Sequence, residues 1–307
     1  MMRSLLLALS RRLWVRDAMV RLPVTGSVVR RFVAGETVAE ALPVIAGLVA
    51  KGLTVTVDHL GEDTVVAAQA DATAAAYLDL LRTIEAHDLA GSVEVSLKLS
   101  ALGQFLPVYG EETALRNART ICAEAARIGT TVTIDMEDHT TIDSTLGLVD
   151  QLRADHPWVG AVLQSSLRRT VNDCRRLAYP GSRIRLCKGA YASPPEVAFD
   201  SPQQVSLSYV RCLRALLDGD AYPMAATHDP RLIEIWERLV ADREPGTYEF
   251  QMLYGIRPLE QERLAALGHT VRVYVPYGTD WYGYFIRRLA ERPANLAFFL
   301  RSLVGRG

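Results

Sequence analysis

The 307-residue chain is poor in the groups that would tie it to metals, thiol chemistry, membranes or nucleic acid. It has four cysteines, Cys122, Cys174, Cys187 and Cys212. They lie far apart with no C-x-x-C pair, which argues against a zinc site and against a redox dithiol. Scattered single thiols in so long a chain fit a reducing, cytoplasmic setting. No apolar run approaches the roughly 18 residues that a membrane span requires. Thirty-four basic residues against thirty-five acidic ones leave a net charge of -1, so no overall field draws the chain to nucleic acid. The motifs G-x-G-x-x-G, G-x-x-x-x-G-K-[ST], G-x-S-x-G and H-E-x-x-H are absent. Classical dinucleotide folds, P-loops, serine-hydrolase elbows and zincin sites therefore lose their support.

What is present is an ordinary globular composition, 49% hydrophobic and 22% charged. Residues 1–50 read as an N-terminal helical extension, with Arg3, Arg11, Arg12, Arg16, Arg21, Arg30 and Arg31 against the single acid Asp17 in the first stretch. The plain reading is a solvated face of helices packed on the main domain. A transient, peripheral contact with the inner face of the cell membrane is the other. Met1 to Leu9 has too short an apolar core and no small-residue cleavage site for a secretory signal, so it reads as part of the mature protein.

Residues 51–307 read as one domain in which short β-branched runs alternate with amphipathic stretches. The runs are 53–57, 93–97, 131–134, 159–163, 184–186, 224–227, 248–251 and 271–275. Between them lie helical patterns such as Thr113 to Ile128, where Leu115, Ala118, Cys122, Ala125 and Ala126 recur near a 3.6-residue period. Eight strand and helix repeats predict an α/β fold, a TIM-type (β/α)8 barrel. Such barrels carry their chemistry at the carboxyl ends of the strands. Those ends here hold Asp58 and His59, Lys98 and Ser100, Asp135 and Glu137, Gln164, Lys188, Thr227 and His228, Gln251, and Tyr274.

Lysine usage adds an independent signal. Only Lys51, Lys98 and Lys188 are lysines, and two of these close predicted strands, where a compact, rotatable ammonium has a use that arginine cannot fill. The segment Arg185 to Tyr191 packs two cations, a glycine and an aromatic into seven residues. Near the other end, Tyr284, Arg287, Arg288 and Glu291 share one face of a helix opposite Trp281, Phe285 and Leu289. Two adjacent guanidiniums suit a carboxylate or phosphate, and Glu291 can hold one of them in place. His59, His139 and His228 match no metal-ligand spacing, so no metal is expected.

The ordered strand ends resemble the proline dehydrogenase family, flavin enzymes that oxidise L-proline to Δ1-pyrroline-5-carboxylate. The resemblance runs from about Asp58 onward. It is carried by Leu97-Lys98-Leu99-Ser100, Ile134-Asp135-Met136-Glu137, Arg185 through Tyr191, Ala226-Thr227-His228, Tyr248 through Leu253, and Tyr284 through Glu291. It implies a distorted barrel that holds FAD non-covalently and passes electrons to a quinone. The chain has room for this one activity only. By resemblance, Lys98, Arg287 and Arg288 bind the proline carboxylate, Asp135 is the catalytic carboxylate, and Arg185 reaches the flavin near N5. Glu137, Gln164, Lys188, Gly189, Ala190, Thr227 and His228 resemble the FAD-contacting set. Tyr191, Leu253, Tyr274 and Tyr284 resemble the walls around the ring, with Tyr191 close to the cofactor as well. Ser166 and Ala192 stand where relatives often carry aromatics, and Asp229 stands where asparagine is common.

Two other functions fit a barrel with these residues. One is a lyase in which Lys98 or Lys188 forms a Schiff base. The other is a non-catalytic barrel that senses an amino acid through Arg287 and Arg288.

Overall fold

The structure, a computed structural model, describes residues 29–291, with side chains described through Ile286. Eight parallel strands close into a barrel in sequence order. They are β1 (Thr54–His59), β2 (Val93–Leu97), β3 (Val132–Ile134), β4 (Gly160–Gln164), β5 (Arg183–Cys187), β6 (Tyr222–Ala226), β7 (Glu249–Leu253) and β8 (Val271–Tyr277). Each falls within about two residues of a β-branched run, so the α/β (β/α)8 expectation holds. The helices are α1 (Val38–Val49), α2 (Ala67–Ala86), α3 (Gly110–Ile128), α4 (Ile142–Asp155), α5 (Thr170–Leu177), α6 (Pro202–Asp218), α7 (Pro230–Leu239), α8 (Pro258–Ala266) and α9 (Trp281–Glu291).

The strand alternation separates two environments. On β2, Val93, Val95 and Leu97 join the main hydrophobic core between sheet and helices, whereas Glu94 and Ser96 face the lumen. Arg185 on β5 bonds Thr56 of β1, Ser96 of β2 and Gln251 of β7, none of them on a neighbouring strand, and only a lumen-facing side chain reaches all three. On α3 the buried stripe is Ala114, Ala118, Ile121, Cys122 and Ala125. Leu115 packs against the same core, whereas Ala126, expected on that face, is exposed at its edge.

Two helices depart from the regular barrel. α1 packs against both β1 and β8, with Ala41 and Ile45 in the main core, so it closes the ring of helices at the seam. α9 instead belongs to a separate apolar cluster in which Trp281, Tyr284 and Phe285 meet Phe32, Val33, Leu60 and Ile256. Leu60 follows β1 and Ile256 follows β7, so the last helix lies by the strand ends. The Trp281 indole donates to Glu36 at 3.1 Å, fastening the start of α9 to the segment before α1. Residues 1–28, with the arginines at 3, 11, 12, 16 and 21, lie outside the described residues, as do the side chains of Arg287, Arg288, Leu289 and Glu291.

Candidate active site

A cavity of about 720 Å³ opens at the carboxyl ends of the strands. Every site residue expected from the sequence whose side chain is described contributes to its wall. That includes Lys98, Asp135, Glu137, Gln164, Arg185, Lys188 to Tyr191, Thr227, His228, Leu253, Tyr274 and Tyr284. Asp58 and Asp229 also line it, and sequence reading had given neither a role at the site. Both were legible in principle, since each is an acid at a strand end facing one of the two strand-end lysines.

Arg185, 2% exposed, forms the floor. Its Nε donates to Gln251 Oε1 at 2.6 Å, Nη1 to Ser96 Oγ at 2.9 Å and Asp135 Oδ1 at 2.8 Å, and Nη2 to Thr56 Oγ1 and Glu94 Oε1 at 3.3 Å each. Its guanidinium stacks on the Tyr274 ring, 5.2 Å from the centroid. The Tyr274 hydroxyl donates to Asp135 Oδ2 at 2.7 Å, so both oxygens of that carboxylate are engaged. Burial, together with Asp135 and Asp58, pushes the Tyr274 phenol well above its ordinary range, and it stays a donor.

Lys98 is held from the side. Its ammonium lies 2.8 and 2.6 Å from the two oxygens of Asp58, and the Tyr77 hydroxyl, which donates to the Ser96 carbonyl at 2.6 Å, lies 3.4 Å from Asp58. Burial opposes the charge on Lys98, but Asp58 and Asp135 outweigh it and raise its pKa. Lys188 pairs with Asp229 at 2.7 Å. Both ammoniums are thus committed to carboxylates, which does not suit a Schiff-base nucleophile, a role that needs the free, neutral amine. The three histidines do not converge. His59 packs edge-on between Tyr77 and Tyr277, His139 sits beside Asp138, and His228 Nε2 accepts from the Leu253 amide at 2.9 Å.

Among the described residues Glu137 has no cationic partner at ion-pair distance, and its oxygens accept from the Ser100 hydroxyl at 2.7 Å and amide at 3.4 Å. Burial raises its pKa to about 7 against the pull of Ser100 and Lys98, with Glu62 adding to the rise. An acid whose folded-state pKa is raised favours folding while it is neutral. Its contribution is complete below about pH 4.5 and is lost as pH rises through about 7, for a total of roughly 3 kcal/mol. Glu137→Gln is therefore expected to gain about 2.5 kcal/mol over wild type between pH 5 and pH 8 in urea unfolding. A difference that is the same at both pH values would refute the raised pKa.

The wall from Gln164 to His228 combines a glycine turn, a lysine and the start of a helix. Gly189 adopts φ +104, and a Cβ there would overlap Ser166 Oγ and come within 2.9 Å of Gln164 Oε1, so backbone alone fits. Lys188 supplies a cation, and α7 begins beside it at Pro230. At about 720 Å³ the cavity is within the ordinary range for a ligand or cofactor site. These features suit FAD.

Comparison with known proteins agrees with this geometry. The sequence profile of the family described as "Proline dehydrogenase" matches residues 41–301. The chain belongs to the proline dehydrogenase family. It is an oxidoreductase. "Proline dehydrogenase 1" of Bacillus subtilis (strain 168) is 39% identical over 277 residues, 90% of each chain. "Proline dehydrogenase" of Deinococcus radiodurans is 42% identical over 281 residues, 89% of each. A crystal structure of proline utilization A (PutA) from Bdellovibrio bacteriovorus, inactivated by N-propargylglycine, superimposes with a TM-score of 0.79 at 24% identity. That match covers 87% of this chain and 33% of that one, so this chain spans about a third of the larger protein and the likeness shows the shared barrel.

Among the described residues, no helix is long and apolar enough to cross a membrane.

Proposed function

We propose that the chain oxidises L-proline to Δ1-pyrroline-5-carboxylate with FAD, and that a membrane quinone takes the electrons onward. The observation that carries this reading is the convergence of Lys98, Asp135, Arg185 and Tyr274 on one cavity whose adjoining wall fits a flavin nucleotide. Gln164, Lys188, Gly189, Ala190, Tyr191, Thr227 and His228 would hold FAD, with Glu137 at the edge of that set. Bound FAD would supply the acceptor for the hydride from the carbon next to the ring nitrogen of proline, with the nitrogen's proton passing to solvent.

The chain's own groups then have separable tasks. Lys98, fixed by Asp58, presents a charged ammonium to the substrate carboxylate. Arg287 and Arg288 complete the clamp in this reading, and Glu291 steadies them. Tyr274, Tyr191, Leu253 and Tyr284 wall the ring, and Tyr284 also anchors α9 in the cluster near the strand ends, which shields the site from water. Arg185 places a buried cation where negative charge arrives, so the cost of accumulating that charge falls. Asp135, bonded to both Arg185 and Tyr274, sets the spacing between floor and wall. The extension at residues 1–50 is the part of the chain proposed to touch an anionic lipid surface during transfer to quinone.

The test is the visible spectrum of the purified, FAD-supplemented protein under anaerobic conditions. Flavin absorbance that bleaches on adding L-proline is the expected result. Folded protein that takes up no flavin, or bound flavin that proline leaves oxidised, overturns the reading.

A further inference from the structure

Beneath the cavity floor the barrel lumen is filled with charge. Glu94 of β2, 1% exposed, sits at its centre. Its Oε2 accepts from Arg183 at 2.6 Å and from Thr131 at 2.9 Å. Its Oε1 accepts from Thr56 at 2.7 Å, Arg185 at 3.3 Å and Thr133 at 3.4 Å, and lies 3.7 Å from Arg272 Nε. Arg272 also pairs with Glu249 at 2.9 Å, and Glu249 accepts from the amide of Gln251, whose own oxygen holds Arg185. The lattice thus joins Arg183, Arg185 and Arg272 with Glu94, Glu249 and Asp135, charge for charge. Burial favours a neutral Glu94, but Arg272, Arg183 and Arg185 outweigh it and keep the carboxyl ionised well below the ordinary range. Neither Glu94 nor Arg183 lines the cavity, so neither touches a ligand there.

We propose that Glu94 is a positioning residue for the reaction: it holds Arg185 at the cavity floor and, in balance with Arg183, sets the redox potential of the flavin above it. This rests on the reading of the cavity as a flavin site. Glu94 reaches the site in two ways. Its bond to Arg185 Nη2 opposes the pull of Asp135 on Nη1, so the guanidinium plane is fixed from both sides. Its charge also acts over distance, because Glu94 and Arg185 are buried away from bulk solvent. Removing that negative charge leaves a surplus of cations under the site and favours the reduced, more negative flavin. Removing Arg183 does the reverse, and Glu94 keeps Arg185 and Arg272 as partners. A purely structural role makes no such prediction of opposite signs.

The experiment is equilibrium reduction of the FAD-loaded full-length protein against reference dyes, for wild type, Glu94→Gln, Arg183→Gln and the double variant. Glu94→Gln is expected to favour the reduced flavin about tenfold, close to 30 mV upward for a two-electron couple. Arg183→Gln is expected to shift it by a similar factor downward, and the double variant to return within about threefold of wild type. Single variants that shift in the same direction, or not at all, overturn the proposal. If Glu94→Gln fails to fold, the downward shift of Arg183→Gln and its reversal in the double variant still decide the matter. A wild-type chain that takes up no flavin overturns the reading of the cavity, and the proposal with it. Loaded proteins of equal potential overturn the proposal alone.

Discussion

Arg185→Met is expected to slow proline-driven flavin reduction about 10³-fold and to lower stability by about 3–5 kcal/mol. The first figure is the cost of removing a buried donor from the place where charge develops, with the cation lost as well. The second follows from the partners left behind. Methionine fills the space but leaves Asp135 with Tyr274 alone, strips Gln251 and Ser96 of a donor, and unbalances Glu94. Arg185→Lys separates the two effects. It keeps the charge but cannot reproduce the planar fork that serves five acceptors at once. It is expected to recover about tenfold of the lost rate and little of the stability. Anaerobic stopped-flow reduction and urea unfolding read these quantities. A methionine variant that reduces its flavin within tenfold of wild type would remove Arg185 from the chemistry.

Why Arg185 was legible, and Glu94 was not, shows where sequence reading stops. Arg185 stood in a dense polar segment at a strand end, and barrel architecture directs attention there. Glu94 lies one residue into β2, in a stretch read for its valines. Its signal was the alternation itself: Glu94, Ser96 and Lys98 share the lumen face of one strand, as Arg183 and Arg185 do on another and Glu249 and Gln251 on a third. Each strand alone reads as half-polar. Only closure of the barrel brings these faces together, and closure is a tertiary fact.

The strands themselves lie within about two residues of the β-branched runs because such runs are a local signal, and strands buried on both faces need no alternation to show it. On α3, Ala118, Cys122 and Ala125 are buried and Leu115 packs against the core, as the periodicity predicts; only Ala126 misses, because an alanine at the edge of the stripe gives no signal of which side it lies on. The seating of α9 near the strand ends, rather than in the outer ring, had no local signature. It depends on Phe32, Leu60 and Ile256 arriving from three distant parts of the chain. Asp58 illustrates the same limit at the site. The sequence marks it as a strand-end acid, but its pairing with Lys98 depends on β1 and β2 lying side by side in register, Asp58 against Ser96.

That pairing yields the second large effect. Lys98→Met is expected to raise the KM for L-proline about 100-fold, the loss of one charge-assisted bond to the carboxylate, worth roughly 1.5–3 kcal/mol. It is also expected to destabilise the fold by about 3–5 kcal/mol, because Asp58 is left buried with only the Tyr77 hydroxyl beside it. The two losses have different remedies. Asp58→Asn added to Lys98→Met removes the stranded charge, so stability is expected to return to within about 1 kcal/mol of wild type while the KM stays high. Asp58→Asn alone leaves Lys98 charged but unsteered, and is expected to cost less in KM than loss of the ammonium. Urea unfolding and proline titration of all three variants test the scheme. If the double variant regains affinity along with stability, Lys98 serves the fold and not the substrate, and the carboxylate clamp has to be assigned to other residues.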